Sequence, residues 1–138
     1  MKSELVDEVY NFLIENDSKY MNWNPEIMKQ YLKFFSQCSA LGIVRQKGEI
    51  IGVGLARILN HSNLKMQVQD SYHLSNMGDT LFVDQICVTN KKAIPVLWAM
   101  MVERLGVREF FAGRRKGKLK VWKFERYNNR ILKLESVG

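Results

Sequence analysis

The sequence predicts an α/β (α+β) fold: a mixed central sheet with two N-terminal helices, a buried crossover helix and a basic C-terminal helix. Three observations carry that prediction. Two amphipathic stretches open the chain, at 4–16 and 25–37. Two β-rich runs follow on either side of Lys47-Gly48. A strand apolar on both faces, 80–89, then leads through an apolar helical stretch into a further short strand at 107–113. The 138 residues, 46% hydrophobic and 25% charged, have the size and composition of one domain, 1–138, with one core.

Each element has its own signal. In 4–16, Leu5, Val9, Phe12 and Leu13 recur at helical spacing, widened by Val6 and Tyr10. Ser3 is a candidate N-cap, and Glu4, Asp7 and Glu8 suit the positive end of the helix dipole. The second helix starts at Asn24-Pro25-Glu26, a cap followed by Pro in the first turn. Its expected apolar face is Ile27, Tyr31, Phe34 and Phe35. Residues 40–46 and 49–59 read as a hairpin about Lys47-Gly48. Gly52 and Gly54 lie on one face of its second strand, which marks a bulge or a close approach by backbone or ligand.

Residues 60–79 are polar and aperiodic, and predict a loop that is either a mobile flap or conceals a short strand or helix about Met66–Val68. His61 and His73 lie here with only Asp70 between them and no nearby Cys, so no metal site is expected. In 80–89, alternation puts Leu81, Val83 and Cys87 on one face and Phe82, Ile86 and Val88 on the other, with Asp84 beside Ile86 and Val88. A strand covered on both sides is central. The next helix begins near Pro95, stops at Gly106 and is apolar on nearly every side. Strand, helix and strand in that order form a βαβ unit, with a parallel pairing and a right-handed crossover.

Charge is localised. The net charge is +7, yet 114–133 alone holds nine basic residues and one acidic one. The remainder is close to neutral, which excludes a uniformly basic, histone-like chain. As a helix from Lys118, this segment sets Lys120, Lys123, Arg126, Arg130 and Lys133 in one stripe beside Val121, Phe124, Ile131 and Leu132. Lys118–Phe124 also alternates as a strand does. With Arg114, Arg115, Lys116 and Lys118 the segment forms a candidate anion-binding element, suited to nucleic acid or an acidic protein partner. Its structural reading is an apolar stripe docked on the sheet and a solvated basic one. Cys38 and Cys87 are too few for a disulfide scaffold. No apolar run is long enough to span a bilayer, and the acidic N-terminus is unlike a signal peptide, so a soluble cytoplasmic domain is expected.

The stretch LFVDQICVTNKKAIPVLWAMMVERLGV, with this order of elements over 4–112, resembles the GNAT acyltransferase superfamily. The resemblance implies acetyl-CoA as cofactor and acyl transfer to an amine. In that family a glycine-rich loop cradles the pyrophosphate on backbone N–H groups at a helix N-terminus. Here the loop reads Thr89-Asn90-Lys91-Lys92-Ala93-Ile94-Pro95, with no glycine, and Pro95 has no N–H to give. By position the resemblance assigns the cofactor to the backbone of Cys87 and Val88 and to Asn90, Lys91, Lys92 and Ala93. It assigns the amine's base to Asp84, the one carboxylate on this strand, and the acid for the leaving thiolate to Tyr127. The structural readings are a satisfied polar residue for Asp84 and a half-buried ring for Tyr127. The glycine-free loop is that of a degenerate member, of a kind found among bacteriophage proteins, and implies a weak or inactive enzyme. The alternative is a non-catalytic binding module, or a phage structural or assembly protein (hence virion-associated), using 114–133. A cofactor slot of this type requires the strands holding Val88 and Val107 to splay apart.

Overall fold

A computed structural model describes residues 3–17, 23–127 and 130–136, with side chains as far as Lys123. The elements follow in the order α1 (Ser3–Asn16), α2 (Pro25–Cys38), β1 (Ala40–Gln46) and β2 (Glu49–Leu59). A single 3-10 turn (His61–Asn63) and α3 (Leu64–Gln69) then lead to β3 (Thr80–Val88), α4 (Ala93–Leu105), β4 (Phe110–Arg115), β5 (Lys118–Tyr127) and β6 (Arg130–Ser136). The six strands lie side by side in chain order. Only β3 and β4 are parallel, joined through α4; every other neighbouring pair is antiparallel.

The helices form two layers. On one face α1 and α2 pack Val6, Val9, Leu13, Met28, Leu32 and Phe35 against Val53, Leu55 and Cys87. Farther along the same face, α3 covers Leu59, Phe82, Ala112 and Val121 with Leu64 and Val68. The opposite face carries α4, whose Leu97 and Met101 pack on Ala40, Ala56, Ile58 and Leu81. The 60–79 stretch thus holds the short helix that was one of its two readings.

Asn24 caps α2 as its sequence predicts, its Oδ1 accepting from the backbone N–H of Glu26 at 2.9 Å and Ile27 at 3.3 Å. The buried stripe of that helix is Met28, Tyr31, Leu32 and Phe35, whereas Ile27 is 57% exposed. The face is therefore turned by about one residue from the expected one, because the heptad-like set i, i+3, i+4, i+7 beginning at Met28 meets the sheet. Helix α4 is less buried than its composition predicts. Ala93, Leu97 and Met101 form its inner line, and Val96 and Met100 face solvent.

Gly42, Gly52 and Gly54 share the face under α4. A Cβ on Gly52 would stand 2.8 Å from the Cβ of Ala93, and one on Gly42 would stand 3.1 Å from a Leu97 methyl. The close approach marked by the glycine pair is thus made by a helix. A bulge accompanies it, since Val44 pairs with Gly52 and Arg45 with Ile50, leaving Ile51 extra.

The basic C-terminal helix is not formed. Residues 118–136 make the strands β5 and β6 instead. Two things favour strand. Lys116 and Gly117 both have positive φ (54° and 77°), the two-residue turn that matches strand twist, and it feeds Arg115 back onto Lys118. Leu119 and Val121 then alternate onto the face that Ala112 and Phe82 already make apolar. That burial outweighs a stripe of solvated cations, which gains nothing by being helical.

Candidate functional site: a cleft between parting strands

The pairing of β3 with β4 runs only from Thr80↔Phe110 to Val83↔Gly113. Beyond that rung β3 stays on β2 as far as Val88↔Gly52, and β4 follows β5 to Arg115↔Lys118. The two strands part, and a cleft of about 470 Å³ opens between them. A bulge marks the spot. Leu55 pairs with Gln85 and Ala56 with Val83, so Asp84 is an extra residue on β3. A bulge bends its strand and increases the local twist, which turns β3 away from its parallel neighbour. The parting lies past Gly113, at the C-terminal end of β4, and not at Val107, which precedes β4.

The same bulge resets the alternation of β3. Leu81, Val83, Ile86 and Val88 all face α4, while Cys87 packs with α1 and α2 and Phe82 with α3. The expected grouping of Cys87 with Leu81 and Val83, and of Asp84 with Ile86 and Val88, is corrected accordingly. One inserted residue exchanges the faces of everything after it.

One wall of the cleft is aromatic. Phe111 lies edge-on to Trp98 of α4 (ring centroids 4.4 Å apart) and stacks on Trp122 of β5 (5.0 Å, 22° between planes). Val83, Ile86 and Gly113 complete the interior, and Arg114 and Arg115 stand at the rim.

Asp84 lines the cleft but its carboxylate is engaged. Nε of Arg57 stands 3.1 Å from both of its oxygens. The Arg57 side chain is 1% exposed and that of Asp84 9%. The guanidinium also donates to the carbonyls of Val68 (3.1 Å), His73 (3.1 Å) and Asp70. Arg57 thereby ties the end of α3 and the chain after it to the central strands. Gln85, next to the bulge, donates to Asp17 at 2.9 Å, beyond the end of α1.

Several N–H groups of the loop into α4 are already used. Thr89 N–H donates to the Ile51 carbonyl, Lys92 N–H to Asn90 Oδ1, Ala93 N–H to the Asn90 carbonyl and Ile94 N–H to that of Lys91. Pro95 has none. Lys91 and Lys92 are exposed. Of the two cofactor positions on β3, Val88 is half-buried toward α4 and the Cys87 side chain points into the α1–α2 core. Their backbone lies on the length of β3 that has no β4 partner.

The predicted anion-binding residues divide by face. Arg115, Lys118 and Lys120 fall on the face of Phe111 and Trp122, and Arg114 and Lys123 on the other; Lys116 is in the turn. Arg126, Tyr127 and Arg130 belong to the β5–β6 hairpin by backbone, and their side chains lie outside the described residues. Tyr127 is therefore on a strand and not on a helix. The histidines serve locally: His61 stacks on Phe110, and a ring nitrogen of His73 meets Ser75 Oγ at 3.0 Å. Among the described residues no group of three or more His, Cys, Asp or Glu is placed to hold a metal ion, and no helix is long and apolar enough to cross a membrane.

Sequence reasoning missed Arg57 and the aromatic wall. Arg57 was signalled: it is the lone cation in the apolar run EIIGVGLARIL, as Asp84 is the lone acid in TLFVDQICV. Opposite lone charges on two apolar strands are a pairing signal.

No family model and no curated protein matches the sequence. Solved structures do match. The GphF GNAT-like decarboxylase in complex with isobutyryl-CoA superposes with a TM-score of 0.60 at 12% identity, over 82% of this chain and 62% of that one. The loading GNATL domain of CurA from Lyngbya majuscula gives a TM-score of 0.58 at 13% identity, over 82% and 61%. This chain thus spans about three fifths of the length of each. Parallel strands that pair and then part, a crossover helix on one face and two N-terminal helices on the other agree with that likeness: the chain has a GNAT-like fold.

Proposed function

We propose that this GNAT-like domain binds a CoA-type acyl thioester in the cleft between β3 and β4, and that it is at most a weak N-acyltransferase. The observation that carries the reading is the parting of the strands after Val83↔Gly113, which leaves the outer edge of β3 from Asp84 to Val88 without a β4 neighbour. That edge is about 16 Å of extended backbone at the usual strand rise. An amide-bearing pantetheine arm can add to such an edge as a strand would, along Gln85–Val88. The aromatic wall of Trp98, Phe111 and Trp122 offers the acyl end an apolar surface. A GNAT-like structural neighbour holds isobutyryl-CoA, which supports a ligand of this class.

Amine acylation asks for more. The attacking nitrogen must lose a proton to a base, the thioester C–S bond must break, and the thiolate must be protonated. Asp84 is the base by position, but both its oxygens already accept from Arg57. Taking up a proton there breaks a buried ion pair, so acylation is slow. Tyr127 is the acid by chain order alone.

Thermal unfolding in the presence of acetyl-CoA, isobutyryl-CoA, CoA and acetyl-pantetheine tests the reading. A ligand that binds only the folded chain raises the melting temperature with concentration. No rise with any of the four at millimolar concentration overturns it.

A further inference from the structure

We infer that the phosphates of the thioester ligand are gripped by the β4–β5 hairpin, through Arg115, Lys118 and Lys120, and not by the N-terminus of α4. This rests on the cleft being a CoA-thioester site, and it names where the nucleotide end of that ligand lies.

The N-terminus of α4 is a poor anion site. The N–H groups of Lys92, Ala93 and Ile94 are spent on Asn90 and Lys91, and Pro95 supplies none. A phosphate placed there would have to displace hydrogen bonds already made.

The hairpin has the opposite character. Arg115 pairs with Lys118 and Gly113 with Lys120, which sets three cations on the face that carries Phe111 and Trp122. Directly paired residues on a strand ladder hold their Cβ atoms about 5 Å apart, and like charges there repel. None of the three has a hydrogen bond or ion pair with any described residue, and among the described residues no carboxylate pairs with them. The chain tolerates this repulsion at the tip of a two-residue turn whose backbone, at Lys116 and Gly117, is fixed in positive φ. A bound polyanion relieves it.

Position agrees with charge. Arg115 lies two residues beyond the last β3–β4 rung, across the opening from the length of β3 that runs on along β2. Gly113, the partner of Lys120, puts no side chain into the cleft floor; its nearest neighbour is the Val83 carbonyl, at 3.8 Å from a notional Cβ. A thioester lying along β3 with its acyl end on the aromatic wall therefore has its phosphates within the field of these cations. Arg115 can take two phosphate oxygens at once, and the lysines act as point charges.

The test compares ligands with and without phosphates. Affinities of acetyl-CoA and acetyl-pantetheine are measured by calorimetry for the wild type, for Arg115→Gln/Lys118→Gln/Lys120→Gln, and for Lys91→Gln/Lys92→Gln. The triple variant is expected to weaken acetyl-CoA by roughly 10- to 100-fold, the scale of a few charge-assisted hydrogen bonds, and to leave acetyl-pantetheine unchanged. The loss shrinks as salt is raised. The Lys91/Lys92 variant is expected to change either affinity by less than about twofold. Melting temperature without ligand, expected to be unchanged or higher in the triple variant, shows that it folds. The inference is overturned if the triple variant binds acetyl-CoA like the wild type, if it weakens both ligands equally, or if the Lys91/Lys92 variant loses more. A wild type that binds neither ligand overturns the cleft reading itself and this inference with it.

Discussion

Arg57 and Asp84 face each other across β2 and β3, with Nε of the arginine equidistant, at 3.1 Å, from the two carboxylate oxygens. The pair sits where β3 bulges and β4 departs, so it joins the bulge, the end of α3 and the cleft through one contact. Burying two charges is costly, and removing one partner leaves the other uncompensated. Arg57→Leu and Asp84→Leu should each lower the free energy of unfolding in urea by about 3–5 kcal/mol. The double variant should lose clearly less than their sum. Strictly additive losses would show that the two side chains do not depend on each other.

The helix α4 rests on glycine. Gly52→Ala puts a methyl 2.8 Å from the Ala93 Cβ, where neither helix nor strand can yield cheaply, and should cost about 1–3 kcal/mol. At Gly54 the nearest atom to the new methyl is 3.4 Å away, an ordinary contact, so Gly54→Ala should be nearly neutral. Equal losses for the two would contradict the packing described.

Glu8 of α1 clasps Arg45 of β1 in a two-pronged ion pair, at 2.6 and 2.7 Å. The hydrogen bond from Arg45 holds the Glu8 carboxyl below its ordinary range. A carboxylate lowered in the folded state stabilises it fully above the ordinary range, and that contribution disappears as pH falls through the folded value. Glu8→Gln should therefore melt lower than the wild type at neutral pH and converge with it in acid. Because both groups are solvent-accessible, the gap should be small and should narrow in high salt. A gap that widens on acidification would contradict the direction of this shift.

The turns at Lys47-Gly48 and Lys116-Gly117 have the same backbone, with both residues at positive φ. Lys116→Asn should raise the melting temperature, since Asn enters that region more readily than Lys. Gly117→Ala should lower stability by roughly 1–2 kcal/mol, with no neighbouring atom to blame, because space there is open. If Gly117→Ala is neutral, the turn is not of this type.

Much of this architecture is written locally. Asn24-Pro25 starts a helix, Lys47-Gly48 turns a hairpin, and an apolar strand followed by an apolar helix and another strand makes the crossover, each from a continuous stretch of sequence. The C-terminal hairpin was legible in principle. Lys116-Gly117 repeats the signal of Lys47-Gly48, but it is embedded in a run of cations whose i, i+3, i+4 spacing imitates a helix. Exposed charges satisfy several periods at once, and only Leu119 and Val121, which must reach Ala112 and Phe82, discriminate among them. The bulge at Asp84 was not legible, since neither glycine nor proline marks it. The rung at which β3 and β4 part follows from that bulge and was illegible for the same reason, although the resemblance already called for a slot between these two strands. What could be read was the residue types around it: a lone carboxylate on the central strand, a glycine-free loop and cations concentrated in 114–133.

The seam between β3 and β4 gives the molecule an uneven mechanical character. On one side of it, strands β1 to β3 are clamped between α1 and α2 above and α4 below, with glycine letting the lower helix down onto the sheet. On the other, β4 to β6 are held by a ladder of four residue pairs, by the small apolar cluster beneath α3 and by the contact of Phe111 with Trp98. The cleft thus lies along the shortest ladder of the sheet, and Arg57, held to Asp84 on β3 and to the Val68 carbonyl of α3, fastens α3 to the β1–β3 side of that seam.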